Sequence, residues 1–228
     1  MPEALVIARP HGQAQQLMLL FHGAGTTAAN MAPLGAVLAS EFPAACIVSV
    51  PAPLAAGEAG REWYSHDGLT EENLAGRVAA ALPAFVETVA HWQRETGVGT
   101  DAIALVGFAE GGVMALESTR AGTPIAGRVV AIGARFARLP EHPNDGTTLH
   151  LFHGKQDPVV PYGFTVQAAE HLVAIGADVT ADVIPFIGRQ INDDVAALMI
   201  ERLRGHLPRR TWAAAMRAAR ELGPAGHD

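Results

Sequence analysis

A glycine-flanked turn carries the most specific chemical signal in the sequence. Residues 107–111 read Gly-Phe-Ala-Glu-Gly; an apolar run typical of a buried strand, 103–106, precedes them, and a helix-prone run, 113–119, follows. Strand, turn and helix in this order is the setting in which a G-x-S-x-G motif presents a nucleophilic serine on a strained turn. The central residue here is Ala109, and a methyl group cannot attack a carbonyl carbon. The sequence therefore has the frame for nucleophilic catalysis without the nucleophile.

A second turn, Phe-His-Gly-Ala-Gly at residues 21–25, follows another apolar run. An H-G-x-G turn in this position lets backbone N–H groups face a cleft and bind the oxyanion of an acyl-transfer intermediate. The expected donors are the N–H groups of Ala24 and of Glu110, the residue after the centre of the first turn. The alternative is an ordinary glycine turn, and the glycine-flanked turn in the same chain favours the oxyanion interpretation.

Two further residues stand where a hydrolytic triad would have its acid and its base. Asp157 precedes a proline and follows a predicted strand, so its carboxylate is expected to point into the cleft; a plain Asp-Pro turn is the alternative. Arg189 follows Gly188 after the last predicted strand, where a catalytic histidine would be expected. Arginine stays protonated and cannot act as a general base.

Glu110 is the strongest candidate for a new catalytic group. A carboxylate on this turn could act as a general base with a raised pKa if it is partly desolvated. The alternative is an ion pair with Arg189, which would lower that pKa.

The long segment 51–69 is expected to supply substrate contacts from Trp63, Tyr64 and Ser65, because irregular segments of this length are often functional. Ser65, His66 and Asp67 are consecutive, so their side chains point in different directions and a triad among them is not expected. Ser65 or His66 could individually face the cleft, although a solvated loop histidine is the simpler interpretation of His66.

The order of the elements predicts how these residues meet. Apolar runs without alternation predict strands at residues 4–8, 17–22, 45–50, 103–106, 129–133, 149–153 and 179–184. Helical patterns cover residues 30–41, 71–95, 111–120, 164–175, 193–207 and 208–222. The alternation predicts an α/β fold with a mostly parallel central sheet and helices on both faces, in which ligands bind at the carboxyl ends of the strands. We expect one domain over residues 1–228 with a C-terminal helix at about 208–222.

Composition excludes several classes of protein. The chain has 228 residues, 49% of them hydrophobic, and a net charge of −7, which disfavours nucleic acid or an anionic membrane as partner. The single cysteine, Cys46, excludes an internal disulfide and fits a reducing cytoplasm. No histidine pair has metal-ligand spacing, no secretory signal is expected, and no apolar run approaches the roughly 20 residues that span a bilayer. Trp212 and Met216 in the last helix could dock on the body or on a second subunit, so a homodimer is possible.

The sequence resembles the small bacterial carboxylesterases of the phospholipase/carboxylesterase group of α/β-hydrolases, relatives of the acyl-protein thioesterases. The resemblance rests on residues 21–25, 60–65, 70–73, 107–112, 114–117, 135–140, 153–154 and 157–159. It implies hydrolysis of short acyl esters or thioesters without a cofactor, by a Ser–Asp–His triad. Asp157 matches the acid of that triad, whereas Ala109 takes the serine position, Arg189 the histidine position, and Glu110 the position of a glutamine. The resemblance also implies that the side chain of Arg189 reaches Asp157, because the histidine of the family does.

These substitutions predict a serine-esterase scaffold whose triad is disabled. Because the changes fall on reactive positions while the glycines and the acid are kept, we interpret the chain as an engineered variant. A natural pseudoenzyme that keeps an acyl-binding cleft is the alternative. A redesigned enzyme with a new catalytic site, using Glu110 or another cleft residue, is the second functional hypothesis.

Overall fold

The computed structural model describes residues 3–120 and 122–221, and it contains a seven-stranded sheet beside a two-stranded hairpin. In chain order the strands are β1 (Leu5–Ala8), β2 (Gln16–Phe21), β3 (Ala45–Val50), β4 (Leu54–Ala56), β5 (Gly60–Glu62), β6 (Ile103–Phe108), β7 (Arg128–Ile132), β8 (Thr148–Gly154) and β9 (Asp178–Ile184). The large sheet has the order β1-β3-β2-β6-β7-β8-β9. Only its edge strand β1 is antiparallel, and every other neighbouring pair is parallel.

Helices cover both faces of this sheet. They are α1 (Ala32–Glu41), α2 (Glu71–Thr96), α3 (Glu110–Ser118), α4 (Gly163–Ala174), α5 (Asp193–Gly205) and α6 (Arg209–Glu221). Alternate side chains of β2 enter two separate cores, as the pleat requires. Leu19 and Phe21 pack in the core that α2, α3 and α4 cover, whereas Met18 and Leu20 pack in the core that α1 and α5 cover. The predicted fold is confirmed.

The parallel register brings the carboxyl ends of the central strands to one edge. Phe21 pairs with Gly107, Phe108 with Ile132, and Ile132 with Phe152. The turns that follow β2, β6, β7 and β8 therefore leave the sheet side by side. This common edge is what brings residues far apart in sequence into one cleft.

The predicted elements are confirmed, with ends that differ by no more than two residues; residue 222 lies outside the described residues. The segment 51–69 differs from the expectation of an irregular loop, because it contains the β4–β5 hairpin. The hairpin is held against the turn after β2: the Gly25 N–H donates to the Arg61 carbonyl at 2.9 Å, and the Arg61 N–H donates to the Thr26 carbonyl at 2.9 Å. Strands of three residues are too short to show alternation, which explains why no sequence pattern predicts them.

The helices, Cys46 and the last helix can each be compared with what the sequence predicts. In the part of the chain that the structure describes, no helix is long and apolar enough to cross a membrane. Cys46 is buried and free, as a structural thiol would be. On α6, Trp212 is 59% exposed and Met216 is 42% exposed, so neither docks fully on the body of this chain.

Candidate active site

The turn between β6 and α3 has the geometry of a nucleophile elbow. Ala109 lies there with φ 52° and ψ −115°, a positive φ that is strained for a residue with a side chain. A Cβ on Gly107 would lie 2.4 Å from the Gly111 carbonyl oxygen, and one on Gly111 would lie 2.3 Å from the Phe21 carbonyl oxygen. Both glycines are therefore required by close backbone approach. The elbow is fully formed around a methyl group.

The turn after β2 packs directly on the elbow. A Cβ on Gly23 would lie 3.3 Å from the Ala109 Cβ. Glu110 is the first residue of α3, so its N–H has no acceptor within the helix and points out of the helix N-terminus. Ala24 and Glu110 line the same cleft, which has a volume of about 580 Å³. Backbone donors from both turns thus border the space above Ala109, the arrangement that an oxyanion hole needs.

His22 holds this turn in place and is structural. Its Nδ1 donates to the Gly23 carbonyl at 2.8 Å, and its Nε2 accepts the Ala52 N–H at 3.0 Å. Burial lowers the pKa of His22, against the opposing effect of its bond to Gly23. Because both ring nitrogens are occupied and the ring is fully buried, His22 takes no part in chemistry in the cleft.

Asp157 has the buried, oriented carboxylate expected of a triad acid. Its Oδ1 accepts the N–H groups of Val159 at 2.8 Å and Val160 at 3.0 Å, and its side chain is 0% exposed. Its Oδ2 lies 3.5 Å from an Nη1 of Arg189, so the expected contact between these two residues is confirmed. Arg189 lines the cleft with its side chain 27% exposed, and its guanidinium lies beside the buried acid.

His153 lies next to the acid without being free to react. Its Nε2 donates to the Val160 carbonyl at 2.8 Å, and its Nδ1 accepts the Thr165 hydroxyl at 2.7 Å. The Asp157 Oδ2 is 3.6 Å from the Nε2. Burial lowers the pKa of His153, which favours the neutral ring. Both ring nitrogens are engaged, so His153 is structural.

Glu110 agrees with the first interpretation drawn from the sequence in part and differs from the second. Its side chain is 4% exposed, and its Oε2 accepts the Trp63 N–H at 3.0 Å while its Oε1 accepts the Tyr64 N–H at 3.4 Å. Its side-chain partner is His66, whose Nε2 lies 2.9 Å from Oε1, and not Arg189 as considered above. Burial raises the pKa of Glu110, against the lowering effect of the bonds from Trp63 and His66. The raised pKa agrees with the sequence expectation, but both oxygens are engaged.

His66 is the functional candidate that the sequence interpretation undervalued. Its ring stacks on Tyr64, with centroids 5.6 Å apart and an interplanar angle of 26°. Its side chain is 46% exposed and lines the cleft with Ala109 and Glu110, so it is not merely a solvated loop histidine. No sequence signal links residues 66 and 110, because the contact depends on how the 51–69 segment folds back over the elbow.

Of the three residues predicted to contact substrate, one lines the cleft and two do not. Tyr64 is buried and lines the cleft, and burial and the Glu110 charge raise its pKa. Trp63 differs from the expectation: it lies behind the cleft, its indole Nε1 donates to the His22 carbonyl at 2.9 Å, and it borders a separate apolar cavity of about 160 Å³. The Ser65 hydroxyl oxygen accepts the Asp67 N–H at 3.2 Å, and Ser65 is not part of the cleft wall.

An ion pair that the sequence interpretation missed forms another wall of the cleft. An Nη2 of Arg135 donates to both carboxylate oxygens of Glu71, at 2.6 and 2.7 Å, and its guanidinium lies 4.7 Å from the centre of the Phe164 ring. Arg135 follows β7 at the carboxyl edge of the sheet, which is the signal that could have identified it.

Comparison with known proteins agrees with this geometry. Residues 2–206 match the phospholipase/carboxylesterase family. The esterase YpfH of Escherichia coli K12 is 42% identical over 205 residues, which span 90% of this chain and 88% of that protein. The acyl-protein thioesterase 1 of Gibberella zeae is 29% identical over 121 residues, 48% of this chain and 52% of that protein.

Solved structures show the same fold. The crystal structure of esterase PE8 superposes with a TM-score of 0.79 at 25% identity, covering 90% of this chain and 98% of that one. The carboxylesterase from Mesorhizobium loti superposes with a TM-score of 0.72 at 19% identity, covering 85% of this chain and 90% of that one. The elbow, the H-G-x-G turn and the match over most of the chain lead to one conclusion: the chain belongs to the phospholipase/carboxylesterase family and has the scaffold of an α/β-hydrolase carboxylesterase.

Proposed function

We propose that this protein binds small acyl esters or thioesters in the cleft of a serine-esterase scaffold and forms no acyl-enzyme with them. The observation that carries the proposal is Ala109, a methyl group at the apex of a complete nucleophile elbow. Without a hydroxyl or thiol at the apex, no covalent bond to the acyl carbon can form there. Ala24 and Glu110 line the cleft, where their N–H groups can donate hydrogen bonds to a carbonyl oxygen.

Arg189 supports the same conclusion from the side of the base. Its guanidinium takes the place of the triad histidine beside the buried Asp157, and it stays charged at every ordinary pH. A serine at residue 109 would therefore still lack the histidine that the family triad has beside its acid. Under this proposal the chain is an engineered variant or a natural pseudoenzyme, and both histories predict the same binding without an acyl-enzyme.

The second candidate function is a new catalytic site in the same cleft. The specific observation in its favour is the contact between Glu110 and His66, which puts an oriented imidazole on the wall of the cleft.

Binding can be tested with a ligand that no esterase can hydrolyse. The ketone 1-phenylpentan-2-one has the shape of phenyl butyrate with a methylene in place of the ester oxygen. We expect saturation-transfer NMR signals from this ketone in the presence of the chain. Val159→Trp should weaken them, because Val159 is 64% exposed on the wall of the cleft.

The matched control is Val173→Trp, at a position on α4 that is 66% exposed and outside the cleft wall. Signals that respond equally to both substitutions would contradict binding in the cleft. A fluorophosphonate probe should leave the mass of the chain unchanged, and a mass increase would contradict the absence of an acyl-enzyme.

Other expectations stay predictions. A cytoplasmic setting follows from the single Cys46, a homodimer would use the exposed Trp212 and Met216, and residues 1–228 are expected to form one domain. No nucleic acid partner and no cofactor are proposed for this cleft.

A further inference from the structure

We propose that His66, oriented by Glu110, is a general base that activates water for the direct hydrolysis of an acyl ester bound in the cleft. This inference rests on the proposed binding of esters in the cleft, and it adds a reaction that needs no residue of the ordinary triad. The observations behind it are the hydrogen bonds of Glu110, the position of His66 and the methyl group of Ala109.

The hydrogen bonds of Glu110 fix the proton on His66. An ionised carboxylate only accepts, so the 2.9 Å contact requires that the His66 Nε2 carries a proton and donates it to Oε1. In the neutral ring the other nitrogen, Nδ1, then holds a lone pair. Within residues 3–120 and 122–221, this Nδ1 has no hydrogen-bond partner. The pair thus has the logic of a carboxylate–histidine dyad in which the free nitrogen is a proton acceptor.

The carboxylate is held firmly enough to orient the ring. The N–H groups of Trp63 and Tyr64 bind its two oxygens, and its side chain is 4% exposed. Trp63 is itself fixed by the bond of its indole to the His22 carbonyl. The hydroxyphenyl ring of Tyr64 stacks on the imidazole and restricts its rotation. Each of these contacts limits His66 to the orientation that points Nδ1 away from Glu110.

The charged groups around His66 come from four elements. Glu110 faces it from α3, the ion pair of Glu71 with Arg135 lines the cleft from α2 and the segment after β7, and Arg189 lines it from the segment after β9. Glu110 is the one in direct contact. The negative charge of Glu110 stabilises the imidazolium that forms when His66 takes a proton.

Ala109 leaves room for the water. In the family, a serine hydroxyl occupies the apex of the elbow; a methyl group does not fill that position, and a water molecule can stand there beside the bound carbonyl. The water oxygen attacks the carbonyl carbon as Nδ1 removes one of its protons. The π electrons of the carbonyl move to its oxygen, which the N–H groups of Ala24 and Glu110 stabilise. Collapse expels the alcohol or thiol, which takes the proton back from His66, and leaves the carboxylic acid.

The same geometry explains why a glutamate at residue 110 differs from the glutamine of the family. The amide oxygen of glutamine could still accept the Trp63 N–H. Its NH₂ group would then face His66 and donate to Nε2, which forces the ring proton onto Nδ1. The ring would lose the lone pair that faces away from residue 110. Glu110→Gln should therefore remove the base while the fold stays intact.

The experiment measures the hydrolysis of p-nitrophenyl butyrate by the full chain and three variants. We expect the chain to hydrolyse it faster than buffer, and His66→Ala and Glu110→Gln to lower kcat by about 10²-fold or more, the usual contribution of a general base. KM should change little, because neither substitution removes the oxyanion donors. His11→Ala is the matched control, an exposed histidine outside the cleft, and should retain the full rate.

A further readout separates catalysis from a structural role. Free imidazole should restore part of the rate of His66→Ala, which it could not do if His66 only held its segment in place. If the ketone binds while the chain hydrolyses no faster than buffer, or while both variants keep its rate, the inference is overturned and the proposed binding function stands. If the ketone does not bind, the proposed function itself fails.

Discussion

Restoring the two missing triad residues is the most direct test of how the cleft is built. The double variant Ala109→Ser with Arg189→His places a hydroxyl at the apex of the elbow and an imidazole beside Asp157. The backbone for both is already in position. Residue 109 has the strained elbow conformation, and the Gln156 N–H donates to the Ile187 carbonyl at 2.8 Å, which holds the chain before residue 189 against the turn of Asp157.

The expected gain follows from the cost of losing a triad. Removing the nucleophile or the base of a serine protease lowers kcat by about 10⁶-fold, and the rest of the rate comes from the oxyanion hole and from binding. A general base such as His66 can supply about 10²- to 10⁴-fold of this by the direct route. We therefore expect the double variant to exceed the unmodified chain by at least about 10²-fold in kcat, or about 2.7 kcal/mol of barrier.

The assay is the hydrolysis of p-nitrophenyl butyrate, with both single variants as controls. Ala109→Ser alone keeps Arg189 and lacks a histidine beside Asp157, and Arg189→His alone lacks a nucleophile. Each should gain far less than the double variant, since the members of a triad act as a unit. A fluorophosphonate probe should add its mass to the double variant and not to the unmodified chain.

A double variant that folds normally but stays inactive would contradict this interpretation of the cleft. If the double variant shows the circular dichroism of the unmodified chain, yet hydrolyses the ester no faster and takes up no probe, then Asp157 cannot orient a histidine at residue 189. The cleft would then not be a serine-esterase site with two residues exchanged.

Three further predictions concern stability. Burial raises the pKa of Glu110 above its ordinary value of 4.5, so the folded chain loses stability as the pH rises above that value. Glu110→Gln should therefore raise the melting temperature at pH 7, and this gain should disappear near pH 4. A difference in melting temperature between variant and unmodified chain that does not change with pH would contradict this prediction. Burial lowers the pKa of His150 from 6.5 to about 3, so the free energy of unfolding falls as the pH drops between these values. His150→Gln should reduce the slope of the unfolding free energy against pH by up to about 1.4 kcal/mol per pH unit. Equal slopes for the variant and the unmodified chain would refute this prediction. Gly111→Ala should lower the free energy of unfolding in urea by about 3 kcal/mol, because its Cβ would meet the Phe21 carbonyl. The control, Gly76→Ala in α2, meets no atom within 4 Å and should raise the free energy of unfolding by about 0.5–1 kcal/mol. Equal effects of the two substitutions would contradict the elbow geometry.

The fold and the frame of the site could be predicted from the sequence because they depend on local patterns. Apolar runs locate the buried strands, and the parallel order then determines which turns share an edge. Close backbone approach at the elbow requires Gly107 and Gly111, so the motif can be identified without its serine. The contact of Arg189 with Asp157 was implied by the resemblance, because the histidine of the family meets the triad acid.

The new chemistry of the cleft could not be predicted, because it depends on a non-local fold of an irregular segment. The contact between His66 and Glu110 spans 44 residues and exists because the β4–β5 hairpin anchors the segment to the turn after β2. The same path buries Trp63 behind the cleft. Neither the hairpin nor the direction of these side chains has a period that a sequence pattern could reveal.

Retention of the glycines and of Asp157 was the basis for interpreting the chain as engineered, and the structure gives both a reason in folding. Gly107 and Gly111 leave no space for a Cβ. The Asp157 carboxylate binds two backbone N–H groups and faces Arg189. Loss of either feature would cost stability whether or not the protein turns over a substrate. Retention of these residues therefore does not distinguish an engineered chain from a natural one.

Folding does not require a histidine at residue 66 or a glutamate at residue 110. The bonds of Glu110 to the backbone of Trp63 and Tyr64 could be made in part by the amide oxygen of the family glutamine, and His66 is 46% exposed. A buried glutamate is costly unless its charge is used or paired, and burial does raise the pKa of Glu110. What glutamate supplies and glutamine does not is a negative charge that fixes the proton of His66 on Nε2. The identity of residue 110 is therefore better explained by the histidine it orients than by the fold it stands in.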